Sequence, residues 1–365
     1  MRKIFILFFA LPYTVSSQDK QLVQADQLYK KAERNIDLIL FKTAYQDAFD
    51  AYEIRKANAI DSLIAKSALQ LHTICSVIKK ADAEKYLVEA EQKGLEPTNW
   101  KILTEVYLKK GNYYRTKFEK EKALNFFIKV DSIQSVHSFK DKNLVKAYRS
   151  IAILLLYSND QDTTRFGKTE SYIQKILNIS KEINFKNGEI YALELMGVIA
   201  VSKKNKEKGI SLYRAALKKA IELNDMYRIS TAYWTIGTTY LGMKKFDSAE
   251  FYYKKKINLL FDRQDTEELA LAYSGLGDLY NEMQKYKLGI DYHLQALKLL
   301  ELSKTDKISQ VLGTLNGLRY SYAGDRAYEN AYTVLDKTYK LKDSLVKIQN
   351  MEASLRIEAR SQVSS

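Results

Sequence analysis

The chain has one cysteine, two prolines and three histidines in 365 residues, and each scarcity excludes something. A single cysteine, Cys75, rules out an internal disulfide and reads as a small buried apolar residue. With almost no proline to remove helix hydrogen bonds, and with Lys, Leu, Ala, Ile and Tyr abundant, the composition is that of an all-helical protein. His72 and Cys75 stand three apart and share a helix face, but a structural zinc takes four ligands and no others lie nearby, so neither metal nor cofactor is expected. The longest internal apolar run, Ile151 to Tyr157, is far below the roughly 20 residues that cross a bilayer, so no integral membrane span is expected.

Catalytic signatures are missing too. The sequence contains no phosphate-cradling glycine loop, nucleophile elbow, metalloprotease helix or calcium loop. His293 falls in a packing column, His137 near a helix end, and carboxylate pairs such as Glu267-Glu268 are ordinary for a charged helical surface. The expectation is no catalytic residues and no enzyme.

What is present begins with charge. The 58 Lys and Arg outnumber 44 Asp and Glu, giving a net +14, yet the lysines are scattered as on solvated helix faces. The densest clusters, Lys203-Lys204-x-Lys206-x-Lys208 and Lys254-Lys255-Lys256, are short. Twenty-seven tyrosines with basic neighbours suit base stacking and phosphate contact. Many of them, including Tyr148, Tyr213, Tyr233, Tyr240, Tyr253, Tyr273, Tyr280 and Tyr320, occupy columns that read as core, so nucleic acid is not expected as a partner.

Residues 1–17 read as a signal peptide: Arg2 and Lys3, then the apolar Ile4 to Leu11, then Val15-Ser16-Ser17 with small residues before Gln18. Pro12 ends the apolar run. An exported chain without disulfides suits a bacterial periplasm or cell surface.

The organising feature is a repeat. Tyr233-x-x-Ile236-Gly237-x-x-Tyr240 recurs as Tyr273-x-x-Leu276-Gly277-x-x-Tyr280, and the glycines Gly197, Gly237, Gly277 and Gly317 are spaced at 40 residues. Apolar residues at i, i+3 and i+7 share a helix face. A glycine inside a helix costs about 1 kcal/mol against alanine, so a register of glycines calls for close helix approach. Twelve residues on come Gly209, Ala249 and Gly289, and four further Tyr213, Tyr253 and His293. Small residues facing small residues predict tightly packed antiparallel pairs, and a period of this length predicts a solenoid. Trp100-x-x-Leu103-Thr104-x-x-Tyr107 reads as an earlier copy with threonine for glycine, and Tyr148-x-x-Ile151-Ala152-x-x-Leu155 as the next.

This column pattern resembles the tetratricopeptide-repeat family, in a subgroup with a 40-residue period similar to kinesin light chains. Trp234 is one place late, the proline between repeats is absent, and Lys256 stands where a small residue is common. The resemblance implies an all-α, right-handed superhelical solenoid of antiparallel helix pairs that binds a protein or peptide ligand on its concave face. The organisation expected is a leader at 1–17, irregular helical repeats at 18–96, then units at 97–140, 141–185, 186–225, 226–265, 266–305 and 306–340. A capping or coiled-coil helix follows at 341–365, carrying Leu341, Leu345, Ile348, Met351, Leu355 and Ile357. The run Tyr339-Lys340-Leu341-Lys342-Asp343-Ser344-Leu345 is similar to the last repeat of exported Bacteroidetes-type sensors, here without an output domain.

In such repeats the positions about 100° round from the buried stripe line the groove. These are Lys101, Glu105, Arg149, Glu194, Trp234, Thr238, Leu241, Ser274, Asp278 and Asn281. Trp234 is either an anchor exposed to the cavity or a wedge between repeats. The alternative function is the sensor or linker part of a signalling protein, forming a homodimer through the C-terminal helix.

Overall fold

Leu-, Ala- and Lys-rich stretches without proline fold into sixteen helices, and no strand occurs among the described residues. The computed structural model describes residues 16–363 apart from short segments at 38–39, 79, 81, 96–99, 117–118, 158–163, 262–264 and 303–307. Side chains are described as far as 347, excepting those of 37, 302 and 345. The signal-peptide expectation therefore lies almost wholly outside the described residues.

The helices are α1 (Ser17–Asp37), α2 (Phe41–Ala57), α3 (Asp61–Val77), α4 (Ala83–Gly94), α5 (Trp100–Thr116), α6 (Lys120–His137), α7 (Lys142–Leu156) and α8 (Thr164–Glu182). They continue with α9 (Lys186–Ser202), α10 (Lys206–Glu222), α11 (Met226–Leu241), α12 (Phe246–Phe261), α13 (Thr266–Glu282), α14 (Tyr286–Leu302), α15 (Ile308–Gly324) and α16 (Tyr328–Val363). Odd- and even-numbered helices pair as hairpins, and within each of two units the hairpins stack as the repeats of a helical solenoid do. The chain forms two compact units, 1–188 and 189–365.

The left-handed position of each turn is filled without glycine. Lys204, Asn224, Lys244 and Gln284 take the left-handed conformation just past a helix end, and no described glycine does. The next residue's N–H then donates back to a carbonyl five places earlier: Asn205 to Ala200 at 2.8 Å, Asp225 to Ala220 at 3.0 Å, Lys245 to Tyr240 at 3.0 Å and Lys285 to Tyr280 at 2.8 Å. These bonds satisfy carbonyls that the helix end leaves free. Asn205, Asp225 and Asp265 then accept from the third N–H of the following helix, which starts it.

Glycine is kept for packing instead. A methyl group on Gly237 would stand 2.9 Å from the Tyr253 ring, and one on Gly277 would stand 2.6 Å from His293. Gly197 meets Tyr213 in the same way, and so does Gly111 meet Phe127, each sixteen residues downstream. That last contact corrects the reading of the 97–140 unit: Gly111, not Thr104, holds the glycine column. Thr104 is buried and its hydroxyl donates to its own helix, at Trp100 O.

A second correction concerns the last repeat. Helix starts run 186, 226, 266 and then 308, so the final step exceeds 40 residues by two. Gly317 therefore misses its expected column and packs against His293 of the preceding hairpin. Tyr320, expected in the core, is 55% exposed, and Tyr322 packs on the core in its stead. Of the other tyrosines expected in core columns, Tyr148, Tyr213, Tyr240, Tyr253 and Tyr280 are buried, while Tyr233 and Tyr273 are half-buried.

Lys256 is nearly fully buried, with Glu268 accepting from its ammonium at 2.5 Å and the Trp234 ring beneath it at 5.3 Å. A buried lysine survives only when paired, and this pair ties α12 to α13. No break occurs at 340/341: α16 runs unbroken for 36 residues, and Leu341 packs on the cluster of Leu297, Leu315, Leu318 and Val334. Most of the stripe expected at 341–360 lies on side chains outside the described set.

Candidate binding cleft

Within unit 189–365 the first helices of successive hairpins touch, α11 with α13 and α13 with α15. Their outward positions enclose a cleft of about 510 Å³ lined by Thr238, Leu241, Gly242, Lys244, Asp278, Asn281, Glu282, Gly317 and Tyr320. Four expected groove residues thus meet at one place: Thr238, Leu241, Asp278 and Asn281. Tyr320, Glu282 and Lys244 were not anticipated. Tyr320 was hidden by the two-residue slip, which the spacing of Leu315, Leu318 and Tyr322 signals in retrospect.

The remaining expected groove residues are elsewhere. Trp234 is a wedge, its ring 5.4 Å from that of Tyr253 and pressed on the bare backbone of Gly275. Ser274 accepts from Thr314 at 3.4 Å and so lies between α13 and α15. Glu194 is paired with Arg228 at 3.1 Å, joining α9 to α11. Arg149 is half-buried on α7, and Lys101 is exposed beside the Trp100 ring. Glu105 lines a different cleft, of about 860 Å³, formed in unit 1–188 by α1, α3 and α5 with Tyr29, Lys66 and Gln70. Glu105 thus lines a cleft of its own unit, among odd-numbered helices, and Lys101 is not among that cleft's lining residues.

The floor of the first cleft is a buried polar network. Asn281 is 4% exposed and so is structural rather than open to the groove. Its amide donates to Gly317 O at 3.1 Å and reaches His293 Nε2 at 3.3 Å, while Ser321 donates to its carbonyl at 2.7 Å. Gly289 leaves the space this amide needs. One side chain therefore fixes α13, α14 and α15 together.

Above the floor, Asp278 lies 3.6 Å from His293 Nε2. Burial pushes the His293 pKa down to about 4, so the ring is neutral at pH 7. Desolvation by the enclosing cleft walls, around a side chain that still keeps 52% of its surface accessible, with help from Glu282, pushes Asp278 up to about 6. The two act oppositely on stability. An unfolded histidine takes its proton near pH 6.5 and the folded one only near 4, so His293 lowers stability as pH falls through that window. Folded Asp278 takes its proton near 6, before the unfolded chain does at about 3.8, so it raises stability over the same range. Asp278→Asn removes only the second effect. Its stability should therefore fall more steeply than that of the wild type between pH 6.5 and 4.5, measured by urea titration at each pH. Equal slopes would show that the Asp278 environment is not as described.

The other candidate chemistry is engaged in packing. His72 Nδ1 lies 2.8 Å from Ala83 O, and His137 stacks on Trp100 at 5.1 Å. Cys75 is buried and burial raises its thiol pKa. Among the described residues no group of three or more His, Cys, Asp or Glu is placed to hold a metal ion, and no helix is long and apolar enough to cross a membrane.

Comparison with known proteins agrees with this architecture. Residues 230–259, which fall within the α11–α12 hairpin, match the tetratricopeptide repeat family model. The chain is 29% identical over 143 residues to the uncharacterized protein ycf37 of Guillardia theta, covering 39% of this chain and 76% of that one. Among solved structures it is similar to a tetratricopeptide repeat protein from Parabacteroides merdae, with TM-score 0.55 and 15% identity over 82% of this chain and 99% of that one. It is also similar to a Rap protein complexed with competence and sporulation factor, with TM-score 0.57 and 13% identity over 90% and 99% of the two chains. At these identities the likeness shows the fold, a tetratricopeptide-type helical repeat.

Proposed function

We propose that this chain is a non-enzymatic scaffold, exported to a bacterial periplasm or cell surface, that holds a protein or peptide segment on the face of its odd-numbered helices. The observation that carries this reading is the cleft across α11, α13 and α15, where Thr238, Asp278 and Tyr320 are exposed above a locked polar floor. Side chains held at fixed spacing by three rigid hairpins suit an extended or helical segment, whose own residues recur at regular intervals. The match to the tetratricopeptide repeat model and the Rap structure complexed with its factor support it. Export rests on Arg2, Lys3, the apolar Ile4 to Leu11 and the small residues before Gln18.

The test uses Thr238→Arg, an exposed position where a long side chain fills the cleft without entering the core. Wild type immobilised against the native envelope fraction should retain a partner that Thr238→Arg loses at equal thermal stability. Identical retention by both would remove the cleft from the binding reading.

A second reading, self-association in a sensor or linker, is favoured by α16, whose 36 residues far outrun the 17 of its partner α15. Light scattering should then show a dimer that becomes monomeric on deleting 349–365. A monomer in both cases ends that reading.

A further inference from the structure

We propose that the cleft between α11, α13 and α15 selects a basic side chain, lysine or arginine, from the bound segment. This rests on the peptide-binding reading and names its specificity. The net charge of +14 by itself favours acidic partners, and the cleft runs against it.

Asp278 and Glu282 stand one turn apart on α13 and both line the cleft. Among the described residues neither has a lysine or arginine within ion-pair distance; Asp278 has only the neutral His293. Carboxylates on the neighbouring hairpins are paired, Glu207 with Lys245 at 2.7 Å and Glu250 with Lys254 at 2.6 Å. Across the cleft Tyr320 presents a ring that is more than half exposed, suited to a cation near its face. Leu241 and the bare backbone of Gly317 line the same cleft and offer a surface for the aliphatic stem of a lysine or arginine. Gly317 is required here: a methyl group there would come 2.9 Å from Asp278 Oδ1 and cover it. The site thus offers carboxylate, aromatic ring and apolar channel in one cleft, with Lys244 the only opposing charge among its lining residues.

A proton competes with such a ligand. Asp278 is faced by Glu282 on its own helix, His293 from α14, Tyr253 from α12, Lys244 at the end of α11 and Tyr320 from α15. Of these, Asp278 is the group that gains its proton near pH 6, so affinity for the cation falls as pH drops below that point.

The experiment is selection of a randomised octapeptide library on the full chain, in wild type, Asp278→Asn and Glu282→Gln forms, each first shown to keep the helical circular dichroism and cooperative unfolding of the wild type. Lysine or arginine should enrich about fivefold at one position on wild type and not on Asp278→Asn. Exchanging that residue for norleucine should weaken binding about tenfold, and moving from pH 7.5 to 5.5 should weaken the basic peptide but not the norleucine one. An acidic or uncharged consensus, or basic enrichment on Asp278→Asn and Glu282→Gln equal to that on wild type, overturns the basic specificity while leaving peptide binding standing. Enrichment of no peptide at all overturns both.

Discussion

Tyr253→Ala is expected to destabilise the 189–365 unit by about 3–5 kcal/mol, as large aromatic truncations in packed cores do. The ring is 1% exposed and is gripped on both sides, by Gly237 of its own hairpin and by Gly275 of the next. It also supports the Trp234 wedge and donates to Thr238 Oγ1 at 3.3 Å, at the edge of the cleft. Losing it opens a void that the rigid neighbouring backbones cannot close. Urea unfolding followed by circular dichroism measures the effect, and the stacked design predicts an early transition of a few hairpins rather than a uniform shift. A loss below about 1 kcal/mol would mean that the aromatic column does not hold the hairpins together.

The same substitution made at two glycines should have opposite signs. Gly277→Ala places a methyl group 2.6 Å from the fully buried His293 ring, which has Gly317 behind it and cannot retreat. Overpacking of this kind costs about 1–3 kcal/mol, more than the roughly 1 kcal/mol alanine contributes to helix propensity. Gly313→Ala, in α15, meets nothing within 4 Å, so only the propensity remains and stability should rise by up to about 1 kcal/mol. Thermal melts of the two variants decide it. A gain at both positions would show that the α13–α14 contact is loose, and with it the packing argument for the repeat.

How far the sequence can be read follows from particular columns. Gly197, Gly237 and Gly277 with Tyr213, Tyr253 and His293 were legible because each pair is separated by a fixed sixteen residues within one hairpin. Local spacing is then enough, since one short turn sets the register of both helices. Gly317 and Tyr320 were misread because register between hairpins depends on the linking segment, where two added residues rotate α15 by more than half a turn. The 97–140 unit was misread for a related reason: both Thr104 and Gly111 fit the small-residue pattern seven apart, and only the contact with Phe127 distinguishes them.

The sequence by itself determined the all-helical class, the repeating hairpin and the glycine–aromatic seam within it, because helical periodicity and turn length are local properties of the chain. Only the tertiary structure decided which positions face a cleft. Thr238, Asp278 and Tyr320 come from three hairpins, and Asn281 and Trp234 point from the same helices into the packing instead. A rotation of some tens of degrees separates these fates, and it is set by how neighbouring hairpins fit together rather than by any one helix's own pattern.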